Sequence, residues 1–242
     1  MRILFLIVVP CLFNGCIACF NASAQENYEV RQVNFHGNKT LDDEMLLEQM
    51  AIKEVSYFEK LITKKEPSLF SRELIELDAQ RVRTLYQSEG FLDVVVTLRP
   101  LKVNEKKQTV KIAFDIREGE PVKVDSISIK TIGETANTDP DSLIRKISGK
   151  LEMTEEKRFR DMALNADLQL MRDAWRNLGY AYSSATYRLN LRPDEKLTSV
   201  GYEITPGPVS FFGETQISGN KHLSEKFLRK QLVYGEGELY DK

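Results

Sequence analysis

The chain has 242 residues, with 34 basic side chains against 36 acidic ones and a net charge near −2. That near-balance excludes nucleic acid or an anionic membrane surface as the main partner. All three cysteines, Cys11, Cys16 and Cys19, fall in the N-terminal apolar stretch, so the rest of the chain has no disulfide, thiolate metal site or cysteine nucleophile.

That stretch is an address. Arg2 supplies a positive n-region, 3–9 with Leu12 and Phe13 an apolar h-region, and Ala22-Ser23-Ala24 a small-x-small cleavage site. Residues 1–24 are therefore expected to be a signal peptide, with the exported chain starting at Gln25. Gly15-Cys16 and Ala18-Cys19 leave a lipoprotein alternative open. After Gln25 no run approaches the ~18 apolar residues of a membrane helix.

The elements come twice in one order. Alternation of Val33 and Phe35 with polar residues predicts a strand over 28–35. Gly37-Asn38 marks a turn, and Thr40 is placed to cap a helix whose first turn holds Asp42, Asp43 and Glu44. A second helix is expected over 71–88, with Leu74, Ile75, Val82, Leu85 and Tyr86 in one arc and Gly90 as its stop. Strands over 91–103 and 110–117 follow. The next set starts with a strand over 122–132 and a short helix opened by Asp139-Pro140. A long helix carries Phe159, Ala163, Ala166, Leu170 and Ala174 as its expected apolar seam, with Trp175 one residue off it. Gly179 ends that helix, and strands are expected over 180–191 and 197–205. A third start runs from Val209, with a strand to 218 and a helix over 223–232.

Landmarks recur at nearly one period of roughly 90 residues. Gly37-Asn38-Lys39-Thr40-Leu41 returns as Gly219-Asn220-Lys221-His222-Leu223, with Gly133 between them. Gly90-Phe91 returns as Gly179-Tyr180, and Gly119-Glu120-Pro121-Val122 as Gly207-Pro208-Val209. The expected organisation is 25–119, 120–207 and the opening third, 208–242, of another module, which makes the chain a piece of something longer. The short Pro/Gly joins limit the modules to modest bending, giving an expected articulated arm.

A β-α-α-β-β module with strand-Gly-Asn at the front, helix-Gly-aromatic in the middle and Gly-x-Pro-Val at the exit resembles the POTRA domain. Tandem copies behind a secretory signal resemble the periplasmic arm of the BamA/TamA outer-membrane assembly factors. The closest local match is Phe70-Ser71-Arg72-Glu73-Leu74 through Leu85-Tyr86-Gln87-Ser88-Glu89-Gly90-Phe91-Leu92-Asp93; the long stretch 52–69 departs from the family pattern. The resemblance implies an α+β fold in which each module is a three-stranded mixed sheet covered by two helices. It also implies residence at the periplasmic face of a Gram-negative outer membrane, with a barrel following Lys242. Unfolded outer-membrane clients and periplasmic or lipoprotein accessory subunits are the implied partners.

In the family, the strand after the second helix is the edge that takes an extended partner by β-augmentation. Carried over, this assigns Val94, Val95, Val96, Thr97 and Leu98 in the first module and Tyr182, Ser183, Ser184, Ala185, Thr186 and Tyr187 in the second. The competing reading makes the Val94–Val96 run core, because β-branched runs report packing first. A candidate docking face is Val55, Phe58, Leu61 and Ile62, which share one helical face; the alternative is a helix packed on its own module. His36 and His222 read as turn residues, and Asp42 to Glu44 as helix-start electrostatics. No catalytic, cofactor or metal site is expected, and no enzyme activity. Alternatives to the assembly arm are a two-partner-secretion transporter arm, a barrel-less periplasmic scaffold, and adaptors for an exported enzyme.

Overall fold

The computed structural model describes residues 28–53, 68–136 and 138–241. The expected signal peptide 1–24 and the candidate docking face Val55, Phe58, Leu61 and Ile62 lie outside the described residues. The elements are β1 (Glu29–His36), α1 (Asp43–Gln49), α2 (Arg72–Ser88), β2 (Val95–Leu98), β3 (Lys102–Asn104), β4 (Thr109–Arg117), β5 (Lys123–Thr131), α3 (Pro140–Ser148), α4 (Asp161–Arg176), β6 (Ser184–Arg192), β7 (Leu197–Thr205) and α5 (Glu225–Arg229). The expected β-α-α-β-β order occurs twice, with one extra short strand, β3, in the first copy, so the α+β class stands.

Two compact units divide the chain. The first comprises the described part of Met1–His36 with Asp42–Arg81 and Thr97–Asp115, the second Gly37–Leu41, Val82–Val96 and Ile116–Lys242.

One sheet has the order β1-β4-β2, with β3 also on β4, and the other the order β5-β7-β6. In both, the first strand runs parallel to the last (β1 with β4, β5 with β7). Both first strands also carry an irregularity at the same point, between Val30 and Gln32 and between Val124 and Ser126. The inward residues of the central strands correspond one for one: Val110, Ile112, Phe114 and Ile116 in β4, and Thr198, Val200, Tyr202 and Ile204 in β7, all buried. A local antiparallel bridge recurs three times, at Glu29–Leu69, Lys123–Arg158 and Phe211–Leu239. It ties the start of each first strand to the segment before the long-helix position.

Several boundaries differ from expectation. The strand expected over 91–103 is divided into β2 and β3. Around Pro100 the pairing slips by one residue, between Arg99 opposite Ala113 and Lys102 opposite Lys111, a bulge that ends the straight ladder. The first sheet therefore has four strands rather than three. Asp42, not Thr40, is the N-cap of α1: its Oδ1 accepts from the Met45 amide at 2.9 Å. In the stretch 209–218, only the Phe211 bridge forms, because no ladder partner lies beside the rest among the described residues.

The seam of α4 is also one residue out. Its buried positions are Ala163, Leu164, Asp167, Leu168, Met171 and Trp175, not Ala166, Leu170 and Ala174. Trp175 is thus core: it is fully buried and meets Tyr180 edge-on, with centroids 5.2 Å apart. A buried indole gains more from this burial and edge-to-face contact than the methyl of its neighbour Ala174 can supply.

Candidate functional site

Each long helix carries an aspartate where an apolar residue is expected. Asp78 of α2 is fully buried and accepts from the amides of Ala51 and Ile52 at 2.8 and 2.9 Å. Asp167 of α4 accepts from the amides of Glu152 and Met153 at 2.7 and 3.1 Å, and from the Tyr202 hydroxyl at 2.8 Å. A buried carboxylate persists only when its lone pairs are filled. Each aspartate thereby fixes the chain that leaves the short helix of its copy. Burial first, then the bond and charge of Asp167, push the Tyr202 hydroxyl far above the ordinary tyrosine range, so it remains a donor. In the first copy Phe114 occupies the place of Tyr202, and Arg81 supplies the further donor to Asp78.

The turn at Gly37 is held in a similar way. Glu118 accepts from the amides of Lys39 and Thr40 at 2.7 and 2.8 Å, from the Thr40 hydroxyl at 2.8 Å and from the Tyr86 hydroxyl at 3.1 Å. Burial works against its charged form, but these four donors outweigh it and hold the carboxyl below the ordinary glutamate range. Gly37 has φ +90°, and a Cβ there would lie 2.2 Å from the Ile116 carbonyl oxygen, so only glycine fits this turn.

Each of the two sheets ends in an edge strand. β2 lies at the end of the order β1-β4-β2 and β6 at the end of β5-β7-β6. Among the expected site residues, Val94 and Val96 are buried, Val95 and Thr97 exposed, and Leu98 half-buried. The valine run is thus both things at once: alternate residues pack, and the strand still forms an edge. Val94, Tyr182 and Ser183 precede the strands, which begin at Val95 and Ser184. Ser183 is buried, and its hydroxyl donates to the Arg172 carbonyl at 3.0 Å. Tyr182 is 77% exposed, Ala185 is buried, and Ser184 and Thr186 are exposed.

Backbone direction decides which groups a partner could reach. Along a strand, successive amides and carbonyls face opposite edges. The Arg99 amide donates to the Ala113 carbonyl at 2.8 Å. Thr97 and Val95 therefore also turn their amides towards β4, and those of Val96 and Leu98 face outwards. In the second sheet the Ile204 carbonyl accepts from the Ile132 amide on the β5 side at 2.7 Å. Its neighbours Thr205 and Glu203 must then face β6, where they lie opposite Ser184 and Thr186. The outward amides of β6 belong to Ala185, Tyr187, Leu189 and Leu191. Sequence reasoning placed the strand and carried its edge as far as Tyr187 but missed Leu189 and Leu191. Their signal was the apolar alternation Tyr187-x-Leu189-x-Leu191 beside polar Arg188 and Asn190.

Two features border the start of the second repeat. Arg158 donates to Glu89 at 2.7 Å and lies over the Phe91 ring at 5.2 Å, and the Gly90 carbonyl accepts from the Val122 amide at 2.9 Å. Asp161 nearby has its carboxyl raised by burial first and then by the charge of Glu89. Among the described residues no group of three or more His, Cys, Asp or Glu side chains could hold a metal ion, and no helix is long and apolar enough to cross a membrane. His36 ends β1 and is exposed, as is His222.

This fold of repeated two-helix, mixed-sheet modules with open edges is that of the POTRA domain. Residues 28–119 match the POTRA family, described as the surface antigen variable number repeat. The chain is 24% identical over 213 residues to the outer membrane protein assembly factor BamA of Neisseria meningitidis serogroup B, covering 88% of this chain and 26% of that protein. It is 19% identical over 212 residues to BamA of Nitratidesulfovibrio vulgaris, again covering 88% of this chain and 26% of that one. A crystal structure of POTRA3-5 of Haemophilus influenzae BamA superposes with a TM-score of 0.52 at 17% identity, covering 88% of this chain and 80% of that one. The likeness to the POTRA family is thus carried by 28–119 and that to BamA-type assembly factors by most of the chain, which spans about a quarter of the length of the curated relatives it matches.

Proposed function

We propose that this chain is the periplasmic arm of an outer-membrane protein assembly factor, made of POTRA modules at 25–119 and 120–207 with a third opening at 208–242. It receives unfolded outer-membrane strands and accessory proteins on the edges β2 and β6 and passes clients to a barrel at the periplasmic face of the outer membrane of a Gram-negative bacterium. The observation that carries this is the pair of edge strands, each at the same place in its copy and each with outward amides and carbonyls. Such an edge binds an extended peptide through backbone hydrogen bonds, so affinity does not demand a sequence. That suits clients that differ in sequence but share a strand-forming backbone. The role is binding and handover rather than chemistry.

The test exploits the direction of the amides. Proline at Leu98 or Tyr187 removes an outward donor while sparing the internal ladder, whereas proline at Thr97 or Arg188 removes a donor used by the sheet itself. A Leu98→Pro, Tyr187→Pro double variant in the source cells should fold normally yet reduce assembled outer-membrane proteins. Unchanged assembly with a correctly folded variant would overturn the strand-acceptor reading.

A further inference from the structure

The two faces of β6 differ in a way that selects what can be added to it. On one face Arg188 pairs with Glu203 at 2.9 Å and Arg192 with Asp125 at 2.9 Å, and Asn190 is exposed between them. On the other, Tyr187, Leu189 and Leu191 form a half-exposed apolar strip, 41% exposed at Leu189 and 43% at Leu191. The two leucines border a cavity of about 310 Å³ that Leu92, Phe159, Thr84 and Thr198 also line, all within the second compact unit. The register from Ser184–Thr205 to Arg192–Leu197 is unbroken, so the strip and the outward amides keep one phase along the strand.

That phase fixes the side chains of any added strand. A strand hydrogen-bonded to the outward groups of β6 lies ~4.8 Å away, and its residues alternate between the same two faces. Alternate side chains fall beside Leu189 and Leu191, over the cavity, and the intervening ones beside Arg188 and Asn190. What covers the strip is therefore an extended strand, because the groups next to it are unused backbone donors and acceptors. A helix has none to spare.

Resting on the strand-acceptor reading above, we propose that β6 is a pattern-selective acceptor. It takes strands with strict apolar–polar alternation, seating an apolar side chain in the cavity bounded by Leu92, Phe159, Leu189 and Leu191. Backbone pairing alone would accept any extended peptide. The cavity adds a preference for the period-2 pattern that marks the strands of membrane barrels.

Two fluorescein-labelled peptides of about ten residues and identical composition, one alternating and one with its apolar residues in a block, would be titrated by anisotropy against the chain. The alternating peptide should bind about tenfold more tightly, and the Leu189→Asp, Leu191→Asp variant should erase the difference. Both leucines are half exposed, so folding should survive; Leu191→Ser, with circular dichroism, provides a milder check. Equal binding of the two peptides to the unaltered chain, or a preference retained by the folded variants, would overturn the selectivity while leaving strand acceptance standing. Binding of neither peptide would overturn both readings together.

Discussion

β2 and β6 occupy the same place in two copies of one fold, yet β2 has four residues and β6 has nine. One residue accounts for much of the difference. Pro100 falls at an outward-facing position, where it removes a donor the sheet does not need, and the bulge beside it ends the straight edge. β2 is left with the outward amides of Val96 and Leu98. In β6 no proline intervenes before Pro193, and four outward amides follow in phase. An edge strand is a liability as well as a tool. The first copy blunts it, and the second keeps it and adds an apolar cavity.

The largest effect that would break this comparison strikes the fixtures beneath the edges. Asp167→Ala strands two buried amides and the Tyr202 hydroxyl, and should cost about 3–4 kcal/mol. Asp78→Ala strands the Ala51 and Ile52 amides but leaves its third donor, Arg81, half exposed to water, and should cost less, about 2–3 kcal/mol. Urea unfolding of both variants would test the order; a costlier Asp78 would contradict it. Gly90→Ala comes next, at about 2 kcal/mol, since φ is +88° and the new Cβ would sit 2.6 Å from the Phe159 carbonyl oxygen.

Glu118→Gln should cost about 1 kcal/mol at neutral pH, because an amide oxygen accepts the turn donors less well than a carboxylate does. The sign of its pH dependence follows from the depressed folded value. The stabilisation is fully present above the unfolded value of about 4.3, and fades as pH falls through the lower folded value. Melting curves of wild type and variant should converge in that acid range; a gap that widens there would contradict the assignment. The smallest stability effect belongs to Pro100→Val, within about 0.5 kcal/mol. This change should nevertheless lengthen β2 and raise its capture of a labelled strand peptide, narrowing the gap with β6.

The sequence showed this architecture through its punctuation. Gly37, Gly90 and Gly179 all have positive φ, at 90°, 88° and 94°, and mark the turns that frame each copy. Alternation in 197–205 located β7 to the residue, because an inner strand buried on one face has the clearest period. What stayed hidden was non-local. The apolar arc of α2 was recognised while Asp78, between Ile75 and Val82 on that arc, was passed over; its partners at Ala51 and Ile52 belong to another element. The seam of α4 was displaced by one residue because alanines at helical spacing match the pattern as well as Leu164, Leu168 and Met171 do. Trp175 was left off the seam for the same reason. At the candidate site, the resemblance indicated which strands form the edges, but the reach of each depends on backbone direction and on the bulge at Pro100. Neither can be read from residue types alone.

The most direct measurement places a photocrosslinking amino acid at Leu98 in one strain and at Tyr187 in another, each an outward position at the same point of its copy, and compares client adducts in the source cells. The account predicts adducts with unfolded outer-membrane proteins at both positions, several-fold more abundant at Tyr187. Equal yields, or a richer yield at Leu98, would contradict the claim that the longer edge of β6 is the principal acceptor.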